Sequence, residues 1–285
     1  SLHTKLNYDL YFLIVNGYGA TAREDYPLFS RRLAPDQIDY NRCWNKPSEP
    51  IRTDMPPIQQ EHIQELTDFI LQTSPEYIID IHNTTGKNKP LAFVQGQYAH
   101  NVLTHNLVDH IIYSDPLSGS LLDRFSDECE TILVECGKTG TLNAFITGRD
   151  MIKKCITHNS WDEKNKSKTP LFYQELGRIV IKDQIDFSFY DQNRTKPLDK
   201  NKLFVRHDIE NLNQTLVHDF GSLGLYEGND FPLSFLEHGI DKTAEYIQIN
   251  KNHLEITKPT YGLLFTTNIN NIRITELGYL MERIL

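Results

Sequence analysis

The chain has 285 residues, enough to bury one large core or a core with a smaller satellite domain. Its formal charge of -9 argues against a nucleic-acid or anionic-membrane surface, and no apolar run approaches the roughly 20 residues that cross a bilayer. Four cysteines, Cys43, Cys129, Cys136 and Cys155, stand without CxxC spacing and read as reduced thiols of a cytoplasmic protein rather than a disulfide frame.

The first strand signal is Tyr8 to Asn16, ended by Gly17 and Gly19. An irregular stretch follows, with five prolines from Pro27 to Pro56 and the run Asp39-Tyr40-Asn41-Arg42. Ile58, His62, Leu66, Phe69 and Ile70 then fall at helical spacing, which predicts an amphipathic helix over Pro57 to Thr73 with proline near its first position. Tyr77 to His82 reads as a buried strand, Leu91 to Val94 as a short one, Ala99 to Asp109 as a helix and His110 to Tyr113 as another strand. Thr131 to Glu135 is a further apolar strand ending in a carboxylate, and Asn143 to His158 a helix with Ile152, Cys155 and Ile156 on one side. Strands alternating with helices imply an α/β domain whose mixed, largely parallel sheet is covered on both faces. After the polar run Asp162 to Lys168 the texture changes to strand-like alternation over Leu171 to Tyr190 and Ala244 to Phe265, with Pro259 to Gly262 as a turn. The expected division is a catalytic α/β domain over 1–167 and a β-rich domain over 168–285.

The chemistry concentrates at strand ends. Ile78 to Gly86 carries a strand into Asp-x-His and stops at small polar residues, which delivers His82 to a sheet rim. Asp80 lies two residues earlier, on the same side of the strand, where it can hold the imidazole in one tautomer. Glu135 ends a second strand, and Asn41 and Arg42 lie in a loop. A histidine, a carboxylate that shuttles protons and an arginine for a substrate carboxylate together make a hydrolytic site.

These segments resemble, in order and approximate spacing, motifs of the succinylglutamate desuccinylase/aspartoacylase family. Ile78 to Gly86 is similar to its Asp-Leu-His-Asn-Thr-Thr segment, Asp39 to Trp44 to its Asp-Leu-Asn-Arg motif, and Val134 to Lys138 to its Glu-x-Gly-Lys segment. Asn16-Gly17-Tyr18-Gly19-Ala20 stands where the family has Asn-Pro-x-Ala. The resemblance implies a carboxypeptidase-like αβα sandwich with a C-terminal β domain, and zinc-dependent hydrolysis of a small anionic N-acyl amino acid such as an N-acetyl or N-succinyl acidic one. Carried over, His82 is a zinc ligand, Glu135 the catalytic acid/base, and Asn41 and Arg42 hold the α-carboxylate. Arg32, with Arg31 as its competitor, polarises the scissile carbonyl, and Arg124 is a further substrate-side arginine. Tyr246 and Tyr261 compete for the tyrosine that the C-terminal domain contributes. A homo-oligomer is compatible with all of this.

The pattern breaks at the metal. The family's first zinc motif, His-Gly-Asn-Glu, lies well upstream of the Asn-Pro-x-Ala strand, and the fifteen residues before Asn16 hold no His-x-x-Glu. His3 lacks a carboxylate at the required distance, and His62-Ile63-Gln64-Glu65 stands mid-helix in the wrong topological place. Two of the three protein ligands that a catalytic zinc needs are therefore not found. The chain begins at Ser1 rather than methionine, and the favoured expectation is that the missing ligands lie upstream. The alternative is a non-catalytic relative that has lost zinc and binds an anionic amino-acid derivative. A peptide-cleaving metallocarboxypeptidase is a third reading on the same fold.

Overall fold

The computed structural model describes residues 9–13, 15, 38–49, 52–96, 107–114, 119–157, 169–191, 199–217 and 221–284. The expected motif at Asn16 to Ala20, most of the helix expected over Ala99 to Asp109 and the run Asp162 to Lys168 lie outside these residues, as do His3, Arg31 and Arg32.

Pro57–Thr73 forms helix α1 with the bounds that its periodicity predicts. Proline sits at its start, where a missing N–H costs nothing, and Ser74 ends it in the left-handed conformation with its N–H on the Ile70 carbonyl. Burying Ile63 and Ile70 against the sheet supplies about 1.5–3 kcal/mol each, more than helix propensity alone provides. Strands β1 (Tyr77–Thr84), β2 (Leu91–Val94) and β3 (His110–Tyr113) follow, then the short helix α2 (Leu121–Phe125), strand β4 (Glu130–Lys138) and helix α3 (Leu142–Thr157). Strands β5 (Leu171–Ile181), β6 (Asp186–Tyr190), β7 (Lys202–Arg206), β8 (Ser222–Leu225), β9 (Leu233–Glu237) and β10 (Ile240–Asp241) open the C-terminal part. It closes with helix α4 (Thr243–Tyr246), β11 (Ile247–Asn250), β12 (His253–Ile256), β13 (Tyr261–Leu263), helix α5 (Ile269–Ile274) and β14 (Gly278–Arg283).

The larger sheet runs β1-β4-β2-β3-β5-β14-β13, with β9 and β10 attached along β5. Its β1–β4, β2–β3 and β3–β5 pairings are parallel and its β2–β4 pairing antiparallel, so the sheet is mixed, as expected. Strand β5 pairs with β3 through its first residues and with β9 and β14 farther along, which carries the sheet into the C-terminal part. A second, five-stranded sheet runs β11-β12-β8-β7-β6.

Alternation on β1 sorts its side chains between two faces. Tyr77 and Ile79 pack with Met151 and Cys155 of α3, whereas Ile78 packs with α1 and the Tyr40–Arg42 turn. Asp80 and His82 share the face of Ile78. The C-terminal core gathers the interior of both sheets around Phe235 and Phe265, both fully buried.

Two expectations are corrected. Residues 9–13, read as part of a first strand, are not in a strand, and Tyr11 and Phe12 stand 55% and 64% exposed. Their described packing is an edge-on contact of Tyr11 with Phe69, and an apolar run without a neighbouring strand has nothing to complete its ladder. Pro259 to Gly262 is not wholly a turn, since Tyr261 and Gly262 already pair with β14. All four cysteines are free thiols, and no described helix is long and apolar enough to cross a membrane.

Candidate functional site

Strands β1 and β4 run parallel in a register that makes His82 the Cα partner of Glu135. Paired residues of adjacent strands point to the same face, so the imidazole and the carboxylate rise side by side, although 53 positions separate them in sequence. The Asp80 carboxylate lies on His82 Nε2 at 2.8 Å, the second-strand-residue contact that its spacing predicts. This contact occupies Nε2 and orients the imidazole. On its other side Glu135 pairs with Leu91 of β2, in the interior of the sheet.

Asn41 and Arg42 lie in a single 3-10 turn, Tyr40–Arg42, capped by the Asp39 carboxylate on the Asn41 N–H. Tyr40, Cys43 and Trp44 anchor this turn in the cluster that also holds Ile78, on the sheet face that His82 and Glu135 share. Gly119 seals it: a Cβ there would stand 2.6 Å from the Arg42 carbonyl, and the Trp44 N–H donates to the Gly119 carbonyl. His62 serves the same turn, its Nδ1 lying 3.1 Å from the Tyr40 hydroxyl. That contact gives His62 a structural role, while Glu65 is exposed.

Arg124 is buried at 5% exposure, its guanidinium 2.5 Å from the Glu128 carboxylate and stacked over the Phe125 ring. Of the two C-terminal tyrosines, Tyr246 packs on Phe235 beneath Lys258, and Tyr261 meets Tyr173 edge-on. The structure brings forward a different tyrosine. Tyr279 packs in the cluster with Leu91 and Leu263, beside the strand position that pairs with Glu135. Burial drives its hydroxyl well above the ordinary value, and the carboxylates of Glu276 and Glu175 reinforce the shift. Burial likewise pushes the Glu276 carboxyl up, against hydrogen bonds with Thr275 and Tyr279 and the charges of Arg178 and Arg42. Arg42 thus lies close enough to the C-terminal group of Arg178, Glu276 and Tyr279 for its charge to act on Glu276. Arg178, Glu276 and Tyr279 carry no motif in the sequence, because β5 and β14 come together only by tertiary pairing.

The zinc expectation meets a short donor set. Among the described residues no group of three His, Cys, Asp or Glu side chains could hold a metal ion. His82, already held by Asp80, and Glu135 fall short of the three ligands of a catalytic zinc.

No family model matches the chain, and no curated protein matches it in sequence. Among solved structures it is similar to murine aminoacylase 3, at 13% identity and a TM-score of 0.53 over 87% of this chain and 78% of that one. It is also similar to succinylglutamate desuccinylase from Vibrio cholerae, at 11% identity and a TM-score of 0.51 over 86% of this chain and 65% of that one. What these likenesses establish is the architecture: the chain has the carboxypeptidase-like α/β fold shared by aminoacylase 3 and succinylglutamate desuccinylase, with a β-rich C-terminal part.

Proposed function

We propose that this chain hydrolyses the amide bond of a small N-acyl amino acid, as the names of its structural neighbours, an aminoacylase and a desuccinylase, suggest for those proteins. The single observation that carries the reading is the His82–Glu135 register, with Asp80 behind the histidine and the Arg42 turn over the same face. Glu135 takes a proton from the attacking water as its oxygen bonds to the acyl carbon, then passes that proton to the amine as the C–N bond breaks. His82, oriented by Asp80, holds the attacking water as a hydrogen-bond acceptor. Arg42 and Asn41 bind the α-carboxylate, for which a guanidinium fork gives directional hydrogen bonds. Arg178 supplies a second positive charge near Glu276, which suits an acidic side chain or a dicarboxylic acyl group. Among the described residues the donors do not complete a zinc coordination shell.

The test is amine release from a panel of N-acetyl and N-succinyl amino acids by the purified protein, with its zinc content measured in parallel. Glu135→Gln should lower the rate by a factor of about 10² or more while leaving the fold intact. Tight binding of an N-acyl amino acid without amine release would replace the hydrolase by an anion-binding relative. The short donor set is the observation that favours that second reading.

A further inference from the structure

Glu210 belongs to the C-terminal part and stands in a short 3-10 turn, Ile209–Leu212, yet its carboxylate bonds to residues of other segments. Both of its carboxylate oxygens accept from Lys138 Nζ, at 3.0 and 2.7 Å. Oε2 also accepts from the Lys87 N–H at 3.1 Å, and Oε1 from the Thr267 N–H at 3.0 Å and the Thr267 hydroxyl at 2.6 Å. Burial pushes the carboxyl up, but the hydrogen bonds from Lys138 and Thr267 prevail and hold it below its ordinary value. It is therefore a charged acceptor at the centre of five donor contacts.

Each donor comes from a segment that bears on the candidate site. Lys87 follows the end of β1, five residues after His82, and Lys138 ends β4, three residues after Glu135. Thr267 lies in the segment that leads from β13 through α5 to Glu276 and Tyr279. The first two segments are also tied directly, since the Thr139 N–H and hydroxyl both donate to the Thr84 carbonyl at 2.8 and 2.9 Å. Asn213, in the same turn region as Glu210, adds bonds to the carbonyls of Lys87 and Phe265.

We infer that Glu210 is a positioning residue: it fixes the strand ends bearing His82 and Glu135 against the C-terminal segment bearing Glu276 and Tyr279. This assignment rests on the hydrolase reading for its catalytic consequence, but its structural half stands without it. A carboxylate serves here where an amide would not, because every contact is a donor pointing inward, and an amide nitrogen would face Lys138 or Lys87 donor to donor.

The test compares Glu210→Gln with Leu254→Ala, a fully buried core change in the C-terminal sheet that destabilises without touching the rim. Amide exchange of Lys87, Thr139 and Thr267 should rise about tenfold or more in the Glu210 variant and stay near wild type in the Leu254 variant. On whichever N-acyl amino acid the wild type cleaves, Glu210→Gln should lower kcat about tenfold or more with KM within about threefold, because misplaced groups cost rate before affinity. Lys138→Met should produce the same pattern, and the double variant should lose little beyond the larger single loss. Rim amides unchanged in Glu210→Gln, or exchange rising evenly along the chain as in Leu254→Ala, would overturn the assignment. Should the wild type cleave nothing on the panel, the hydrolase reading fails while the exchange measurement alone decides the positioning role.

Discussion

Gly86→Ala should be among the most damaging single-methyl additions in this protein. Gly86 ends the polar segment that follows His82, and an ideal Cβ there would lie 2.0 Å from the Phe265 carbonyl oxygen, 3.0 Å from its carbon and 3.4 Å from the Thr266 Cα. All three are backbone atoms, so no side chain can swing aside. Nor can the Phe265 segment retreat cheaply, because Asn213 holds its carbonyl at 2.9 Å and its N–H at 2.7 Å, and its ring is fully buried. The glycine's own carbonyl accepts from the Thr84 hydroxyl at 2.6 Å and from Asn88 at 3.2 Å, which pins the opposite wall. Forced overpacking costs about 1–3 kcal/mol. Rupture of one of the flanking hydrogen bonds adds about 1 kcal/mol, for a total of about 2–4 kcal/mol. At about 2–4 °C per kcal/mol for a chain of this size, thermal unfolding should fall by about 4–16 °C. Gly140→Ala provides the contrast: nothing lies within 4 Å of its added methyl, and only its φ of +80° opposes the change, at about 1–2 kcal/mol. Circular dichroism melts of the two variants, with urea curves at constant m, decide the matter. A Gly86 variant melting within about 2 °C of wild type would show that the close approach is not a real constraint.

Asp80→Asn should preserve the fold and lower kcat/KM by about tenfold or more, with the imidazole nitrogen resonances of His82 reporting the altered tautomer balance. Arg42→Gln should raise KM about tenfold or more for any substrate bearing an α-carboxylate, since charged hydrogen bonds contribute about 1.5–3 kcal/mol. The same change should move the Glu276 carboxyl still higher, because the Arg42 charge opposes its upward shift, and carboxyl-labelled NMR would show it. Stability against pH should show two opposed contributions. The Glu210 carboxyl is held below its ordinary 4.5, so its stabilisation is present above that pH and is lost as pH falls through the folded value. The Glu276 carboxyl is held above 4.5, so its contribution is present below that pH and is lost as pH rises through the folded value. Urea midpoints between about pH 3 and 7 should therefore lack the upper loss in Glu276→Gln and the lower loss in Glu210→Gln.

How much of this was legible depends on how local each cause is. Helix α1 was readable because Ile58, His62, Leu66, Phe69 and Ile70 repeat at helical spacing behind a proline start, although Ile58 proves exposed and Ile63 is buried instead, and β1, β2, β3 and β4 because short β-branched runs end at polar residues. The Asp80–His82 contact followed from the two-residue period of a strand. Glu210 carried no such mark, for its partners stand 72, 123 and 57 positions away. Tyr279 and Glu276 were equally silent, since the placement of β14 beside β5 and β13 exists only through tertiary pairing. The turn expected at Pro259 to Gly262 failed for a related reason. Gly262 is glycine because a Cβ would meet the Leu212 carbonyl at 2.5 Å, not because the chain bends there. The apolar run at 9–13 shows the converse error, in which strand-like composition is read without knowing whether a partner strand lies beside it.

One irregularity joins the candidate site to its support. The β1–β4 register is regular through His82 and Glu135 and then slips, so that Thr84 pairs with Lys138. Two residues of β1 therefore oppose three of β4, and the extra residue reverses the alternation of β4. Had the register continued, Lys138 would point to the face of α3, away from Glu135. After the slip it is the partner of Thr84, on the face of His82, where the Glu210 carboxylate receives it at 2.7 Å. The slip occurs at Gly137, whose φ of +120° is a conformation that residues with a side chain rarely adopt. Glycine is thus required between the glutamate and the lysine for a physical reason. The carboxylate faces the His82 side from a regular strand, and the lysine reaches the same side from one residue out of phase. The segment Glu135-Cys136-Gly137-Lys138 is best understood as a bulge that turns an alternating strand into one with two functional side chains on a single face.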